Sequence, residues 1–138
     1  MPTRPGRDVL LAVVLGGAVG GTLRWWIGDL VPDGADFPWT TFAINLTGSL
    51  VLALLPALSA VRRRPALVAG LGPGLLGGFT TLSTYTEQGR TLLADGRTGL
   101  AAAYLLGTFA ACLAAVTLAG HLSTLAARAE FEAEEGNE

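Results

Sequence analysis

The stretch GLLGGFTTLSTYTE, Gly74–Glu87, decides how this chain folds, because it places a row of polar groups inside an apolar segment. It contains three glycines, five serine or threonine hydroxyls and one tyrosine. The segment around it is otherwise uncharged, since no charged residue falls between Arg64 and Glu87. Glycine disfavours a continuous helix. We therefore predict that a membrane-embedded helix is broken near its middle, at Gly77–Thr81.

The composition of the whole chain is that of a membrane protein. Its 138 residues are 51% apolar and only 14% charged, against about 25% charged in ordinary soluble proteins. The single cysteine, Cys112, excludes an internal disulfide and a multi-cysteine metal site. The net charge is −2, so we do not expect nucleic acid as a partner.

Long uncharged intervals divide the chain into four segments, and a bilayer-spanning helix requires about 20 mainly apolar residues. The last three intervals reach that length, and Trp25, Trp26 and Ile27 extend the shorter first one, with Arg24 near a membrane face. A soluble helical bundle would need a polar outward face, which these segments lack. We predict an all-α membrane protein in contact with membrane lipid, with one transmembrane domain at 1–127 and an acidic, disordered tail at 128–138. The four predicted transmembrane helices cover residues 8–31, 38–61, 65–94 and 98–127.

The first segment allows a second interpretation. Arg4 and Arg7 precede an apolar run, as in a secretory signal peptide. Cleavage would leave three helices, with Arg24 near the new end. We retain the segment as the first transmembrane helix.

The arginines predict the orientation of the chain. With four spans, both termini and the loop at 62–64 share one side of the membrane, and that side carries six arginines against three on the other. The positive-inside rule then places both termini in the cytoplasm of a multi-pass cell-membrane protein. The two groups are Arg4, Arg7, Arg62, Arg63, Arg64 and Arg128 on the first side, and Arg24, Arg90 and Arg97 on the second.

The residues at the predicted break offer two kinds of chemistry. Backbone carbonyls freed by a break are hard oxygen ligands that suit an alkali cation. The hydroxyls of Ser83 and Thr84 can donate hydrogen bonds to an anion. The residues alone leave a second interpretation open, in which the glycines form a packing kink and the threonines bond back to their own helix.

Three motifs in order resemble those of the CrcB/Fluc fluoride channel family. GGFTTLSTYTE is similar to the family signature GGFTTFSTFxxE, GGAVGGTLR at Gly16–Arg24 to GGxxGxxxR, and TFAINLTGS at Thr41–Ser49 to TxxxNxxGS. The resemblance covers about residues 9–125 and implies passive export of fluoride from the cytoplasm, which lowers fluoride toxicity. It also implies two four-helix subunits arranged antiparallel, with two pores and a structural sodium ion at the interface.

The resemblance assigns roles to ten residues of this chain. Sodium would be bound by the backbone carbonyls of Gly77 and Thr80, and Arg24 would lie at a pore vestibule. Asn45 would donate its amide to fluoride, with Ser83 and Thr84 as hydroxyl donors. The remaining pore positions are Leu82, Tyr85, Tyr104 and Thr108.

The chain departs from the family pattern at three pore positions. Leu82 and Tyr85 stand where the family has phenylalanines, and Cys112 stands where a hydroxyl is expected. Leucine has no polarised ring edge to face an anion. Together with the uneven arginine count, this raises the alternative that the chain is a non-conducting partner in a heterodimer with a sister chain, rather than half of a homodimer.

Two other classes fit the residues less well. A small multidrug-resistance-type antiporter needs a carboxylate within the membrane, but the first helix has carboxylates only at its two ends, Asp8 and Asp29. A catalytic function is not expected, since His121 is the only histidine and Cys112 has no charged neighbour to activate it.

Overall fold

The computed structural model describes residues 5–135, with side chains described up to Thr124. Within this range the backbone forms helices and no strand. Four helical segments are long and apolar enough to cross a membrane, which confirms the predicted fold class. These segments are Arg7–Leu30, Trp39–Ala57, Pro65–Ala94 and Thr98–Thr124.

Helix α1, Arg7–Leu30, packs closely on the first half of the third span. The contact is a stripe of glycines on α1, as the small-residue spacing predicts. A Cβ atom on Gly16 would lie 2.8 Å from the Leu75 nitrogen, and one on Gly20 would lie 2.9 Å from the Phe79 nitrogen. The two backbones therefore approach more closely than any side chain at these positions would permit.

The second span is shorter than predicted as a regular helix. Helix α2 is Trp39–Leu54, a 3₁₀ turn follows at Leu55–Ala57, and a short helix α3 covers Ser59–Arg62. The continuous helix expected over 38–61 is interrupted because Pro56 cannot donate a backbone hydrogen bond. The Ser123 hydroxyl of the last span lies 3.0 Å from the Ala53 carbonyl and 2.8 Å from the Ala119 carbonyl of its own helix, so its one hydrogen is shared between the two helices.

The third span has four parts. Helix α4, Pro65–Ala69, runs into a π-helical segment, Gly70–Leu76, and then into a short helix α5, Gly77–Phe79. Pro73 lies inside the π segment, where its missing N–H and its ring disfavour the regular α-helical turn. After an extended step, helix α6 completes the span at Leu82–Ala94.

The last helix, α7, extends from Thr98 to Glu135 and packs against α2 and α6. It passes the predicted end at 127 by eight residues, so the backbone of 128–135, expected as a disordered tail, is helical. Alanine, glutamate and arginine dominate this part of the sequence, and all three have high helix propensity. Residues 136–138 lie outside the described residues.

Candidate functional site

The third span breaks at two threonines. Thr80 has φ −74° and ψ 158°, and Thr81 has φ −142° and ψ 121°, so both are extended. Thr81 caps α6, because its hydroxyl accepts a hydrogen bond from the Thr84 backbone N–H at 3.1 Å. The predicted break is confirmed, but it falls at the end of the expected range, and the glycines before it remain helical.

Asn45 of α2 fills the place of the missing helical bonds at the break. Its amide nitrogen donates to the Thr81 carbonyl at 2.9 Å, and its amide oxygen accepts from the Thr81 N–H at 2.8 Å. Thr81 is buried, with 8% of its surface exposed. A buried peptide group without partners is costly, so this one side chain makes the extended backbone tolerable at membrane depth.

The break also leaves the carbonyls of Gly77 and Thr80 without their helical donors. In a regular helix the carbonyl of Gly77 would accept from the N–H of Thr81, and that of Thr80 from the N–H of Thr84. Both donors are diverted here, the first to Asn45 and the second to the Thr81 hydroxyl. These are the two carbonyls that the family resemblance assigns to sodium, and carbonyl oxygens are ligands that an alkali cation accepts. The donor set therefore fits such an ion.

A cavity of about 250 Å³ lies against the break. It brings together five of the predicted site residues: Asn45, Thr80, Leu82, Tyr85 and Thr108. Thr108 is only 3% exposed, and its hydroxyl is the buried side-chain polar atom without a hydrogen-bond partner among the residues the structure describes. The other residues that line this cavity are Ser49, Leu52, Thr81, Phe109 and Cys112.

A second cavity, of about 390 Å³, reaches the break from the other side. Arg24 and Thr84 line it, and Thr81 lines both cavities. The Thr84 hydroxyl accepts from the Thr81 hydroxyl at 3.0 Å, which leaves its own hydrogen for a ligand in this cavity. Arg24 donates through Nε to the Gly78 carbonyl at 3.2 Å. Polar groups therefore flank the break on two faces.

The remaining predicted residues lie beside these cavities. Ser83 is exposed, with its hydroxyl 3.3 Å from that of Thr81. Tyr104 is completely buried between helices, where it stacks edge-on against Phe37 and packs beside Tyr85. Gly77 is exposed on the surface of this single chain.

Two residues of the site, Asp33 and Gln88, were missed by the sequence reasoning. Asp33, in the loop before α2, accepts from the N–H of Thr40 at 2.7 Å and from the hydroxyl of Thr41 at 2.8 Å. Gln88 donates to the same carboxylate at 3.0 Å. The sequence shows an acidic loop before α2, with Asp33 and Asp36, but not the contact of Asp33 with a residue 55 positions away.

Comparison with known proteins identifies the family. The profile described as "CrcB-like protein, Camphor Resistance (CrcB)" matches residues 11–121. The chain belongs to the CrcB family. It is 42% identical over 129 residues to Fluoride-specific ion channel FluC 1 of Streptomyces coelicolor, covering 86% of this chain and 81% of the relative. It is 38% identical over 125 residues to Fluoride-specific ion channel FluC of Opitutus terrae, covering 86% and 93%.

Alignment with the CrcB signature GGFTTFSTFxxE corrects one position. Counting from Gly77 as its first glycine places its final glutamate at Gln88, not at Glu87. Glu87 is instead exposed and forms a surface ion pair with Arg90, at 2.6 Å. The last position of the signature is therefore Gln88, which donates to Asp33.

Proposed function

We propose that this CrcB protein forms a channel through which fluoride leaves the cell passively. Its CrcB relatives carry the name of fluoride-specific ion channels. The observation that carries the proposal is the cavity at the break, which is lined by uncharged hydrogen-bond donors and contains the unpartnered Thr108 hydroxyl. Membership in a family whose relatives are named as channels makes the protein a transporter of ions rather than an enzyme.

The donors at the break match the chemistry of fluoride. This ion is small and holds its water tightly, so a pore must replace the hydration shell with good donors. Conduction also requires that the ion can leave each site, which favours several weak sites over one strong one. Asn45 uses one amide hydrogen on Thr81 and retains a second. With Thr84 and Thr108, it provides a sequence of neutral donors on both sides of the break.

The pore is completed by a second chain, either another copy or a sister chain, packed antiparallel. Irregular backbone at membrane depth is tolerated only where protein or a water-filled path covers it. In a single chain Gly77 is exposed, and Leu82 exposes 74% of its surface beside the cavity. A partner helix laid over this surface removes it from lipid and closes the cavity into a passage.

A structural sodium ion fits between the two chains. The carbonyls of Gly77 and Thr80 would hold it. A bound sodium ion would interact with these two carbonyl oxygens, which no longer accept hydrogen bonds from their helix. Asn45 of α2 supports this arrangement, because its two hydrogen bonds to Thr81 keep the backbone there extended.

Sodium is therefore expected to stabilise the protein. Replacing sodium by choline at equal ionic strength should lower the thermal unfolding midpoint, since a ligand that binds only the folded state stabilises it by about 2.7 kcal/mol at one hundred times its dissociation constant. Differential scanning fluorimetry in matched buffers measures the shift. Equal midpoints in sodium and choline would count against the site.

The function is tested by reconstitution. Purified protein in liposomes loaded with potassium fluoride should release fluoride when valinomycin carries the balancing potassium. Liposomes loaded with potassium chloride instead should retain their chloride. A fluoride electrode follows the release. Release no faster than from protein-free liposomes, while a CrcB relative conducts in parallel, would contradict the proposal for this chain alone.

The second candidate function is a non-conducting subunit in a heterodimer. It is favoured by Leu82 at the cavity and by the uneven arginine distribution, which holds the chain in one orientation with both termini in the cytoplasm. Efflux that appears only when a sister chain is added would select this candidate.

Leu82 separates the two candidates. Replacing Leu82 by phenylalanine should increase fluoride efflux about three- to tenfold, because the positive ring edge attracts an anion; the size assumes an energy like that of an edge-to-face ring pair, about 0.5–1.5 kcal/mol. The control is Leu93→Phe on the same helix, at an exposed position that does not line the cavity. Equal rates in all three proteins would show that the ring has no function here.

A further inference from the structure

Asp33 is the centre of a hydrogen-bond network that joins the loop before α2 to three helices. Its carboxylate accepts from the backbone and hydroxyl of Thr41, from the N–H of Thr40, and from the amide of Gln88. The other end of the Gln88 amide accepts from the Tyr104 hydroxyl at 2.7 Å. The network therefore connects α2, α6 and α7 through side chains on the described part of the molecule.

Asp33, Thr41 and Gln88 of this network line the second cavity. Residues four apart share a face of a helix, so each of the three helices carries one network residue a single turn from a hydrogen-bond donor at the break. The three pairs are Thr41 with Asn45 on α2, Thr84 with Gln88 on α6, and Tyr104 with Thr108 on α7. A change in the separation of the network residues would therefore also move the donors at the break.

The charge of the network is also defined. Partial burial raises the pKa of Asp33, but the hydrogen bonds from Thr41, Thr40 and Gln88 outweigh it and hold the pKa below its usual range. Asp33 is thus ionised near neutral pH. The other titratable groups lining its cavity are Arg24 and Asp29, and Tyr104 lies behind Gln88.

Gln88 is suited to its place because an amide donates and accepts at the same time. Its nitrogen donates to the Asp33 carboxylate while its oxygen accepts from Tyr104. An ionised glutamate at this position could accept from Tyr104 but not donate to Asp33. The carboxylate of this network thus comes from the loop, and the helix supplies a neutral bridge.

We propose that Asp33 and Gln88 are positioning residues for anion conduction, which set the spacing of α2, α6 and α7 at the break. The inference rests on the proposed function. It assigns the acidic loop a role in the site, although neither residue donates to the permeating ion. Efficient conduction requires that one member of this pair is a carboxylate and the other an amide.

The decisive experiment exchanges the two groups. Asp33→Asn and Gln88→Glu are each expected to slow fluoride efflux from liposomes about tenfold, the effect of losing one charge-assisted hydrogen bond. The double variant restores a carboxylate–amide contact, in which the introduced glutamate accepts from both the introduced asparagine and Tyr104. The asparagine nitrogen then stands where Asp33 accepts from the Thr41 N–H, so recovery is partial, and efflux should be faster than the product of the two single effects predicts.

The pH dependence of the Gln88→Glu variant provides a readout that a loss of packing would not give. Two carboxylates in contact cannot both ionise easily, so one pKa of the pair is raised. Efflux of this variant should therefore rise as the pH falls from about 8 to about 6, as one shared proton restores the bridge. Efflux of the parent should stay level, because Asp33 is ionised throughout. Protein-free liposomes correct for hydrogen fluoride leakage at each pH.

Asp36→Asn is the matched control, since Asp36 lies in the same loop but is 94% exposed and pairs with Arg97 at the surface. It should leave efflux unchanged.

The inference is overturned if the two single variants conduct like the parent, or if the double variant is as slow as their effects combined. Should the parent itself fail to conduct, the proposed function fails. Thermal midpoints of the parent, the two single variants and the double variant then test the network, which requires the double variant to be more stable than additivity predicts.

Discussion

Replacing Asn45 by alanine should abolish fluoride efflux, with a loss of at least about 100-fold. The side chain holds both backbone groups of Thr81, at 2.8 and 2.9 Å, and it lines the cavity at the break. Its removal leaves a buried N–H and a buried carbonyl without partners, at a cost of about 1–3 kcal/mol for each group. The backbone then gains by closing into a continuous helix, which removes the freed carbonyls and shifts the donors. Efflux from liposomes measures the loss.

Asn45→Asp separates the two bonds. Aspartate has nearly the same shape and can still accept from the Thr81 N–H, but when ionised it cannot donate to the Thr81 carbonyl. It should fail as completely as alanine, because a carboxylate facing a carbonyl is repelled and an anion passage gains a negative charge. Thr47→Ala is the control on the same helix, since the Thr47 hydroxyl bonds only to its own helix, at Ala43 and Ile44. Normal efflux from Asn45→Ala would show that the helix break persists without the hydrogen bonds from Asn45.

The four spans could be predicted from the sequence because their signal is local. The last three spans contain uncharged intervals of about 20 or more residues, the length that crosses a bilayer. The first span has a shorter interval, and its predicted and observed bounds differ by one residue at each end. The C-terminal helix was underestimated for a local reason as well. The acidic composition of 128–138 suggested a tail, while the helix propensity of alanine and glutamate continues α7 to Glu135.

The position of the break was only partly predictable, because tertiary contacts decide it. Glycine weakens a helix by about 1 kcal/mol relative to alanine, so the glycine pair before Thr80 was expected to break it. In the structure Gly78 remains helical, and a Cβ on it would lie 2.6 Å from the Gly17 carbonyl of α1. Close packing against α1 thus explains why position 78 is a glycine. The break moves to the threonines, where Asn45 can replace the lost bonds.

The polar network was unpredictable for the same reason. Asn45 and Thr81 are 36 positions apart, and Asp33 and Gln88 are 55 positions apart. No periodicity in one segment reports such pairs. The resemblance to a known family identified Asn45, whereas Gln88 is identified by its contacts with Asp33 and Tyr104.

Replacing Gly20 by alanine should prevent the chain from folding into a stable protein. Gly20 is buried, and an added Cβ would lie 2.9 Å from both the Leu75 carbonyl carbon and the Phe79 nitrogen. Both atoms belong to backbone, so no side chain can rotate away. Overpacking of this kind costs about 1–3 kcal/mol or more, and here it pushes α1 from the segment that leads into the break. We expect little monodisperse protein after extraction in detergent, and no efflux from what remains.

The neighbouring glycine separates this steric effect from helix propensity. A Cβ on Gly21 would lie 4.0 Å from the Gly78 carbonyl, an ordinary contact. Alanine at either position favours the helix by about 1 kcal/mol, so Gly21→Ala should express like the parent chain and unfold at the same or a higher temperature. Gly20→Ala carries the same propensity gain and should still fail, because only there does the methyl group meet a backbone that cannot move. Equal yield and stability of the two variants would mean that α1 and the third span are not held in contact at Gly20.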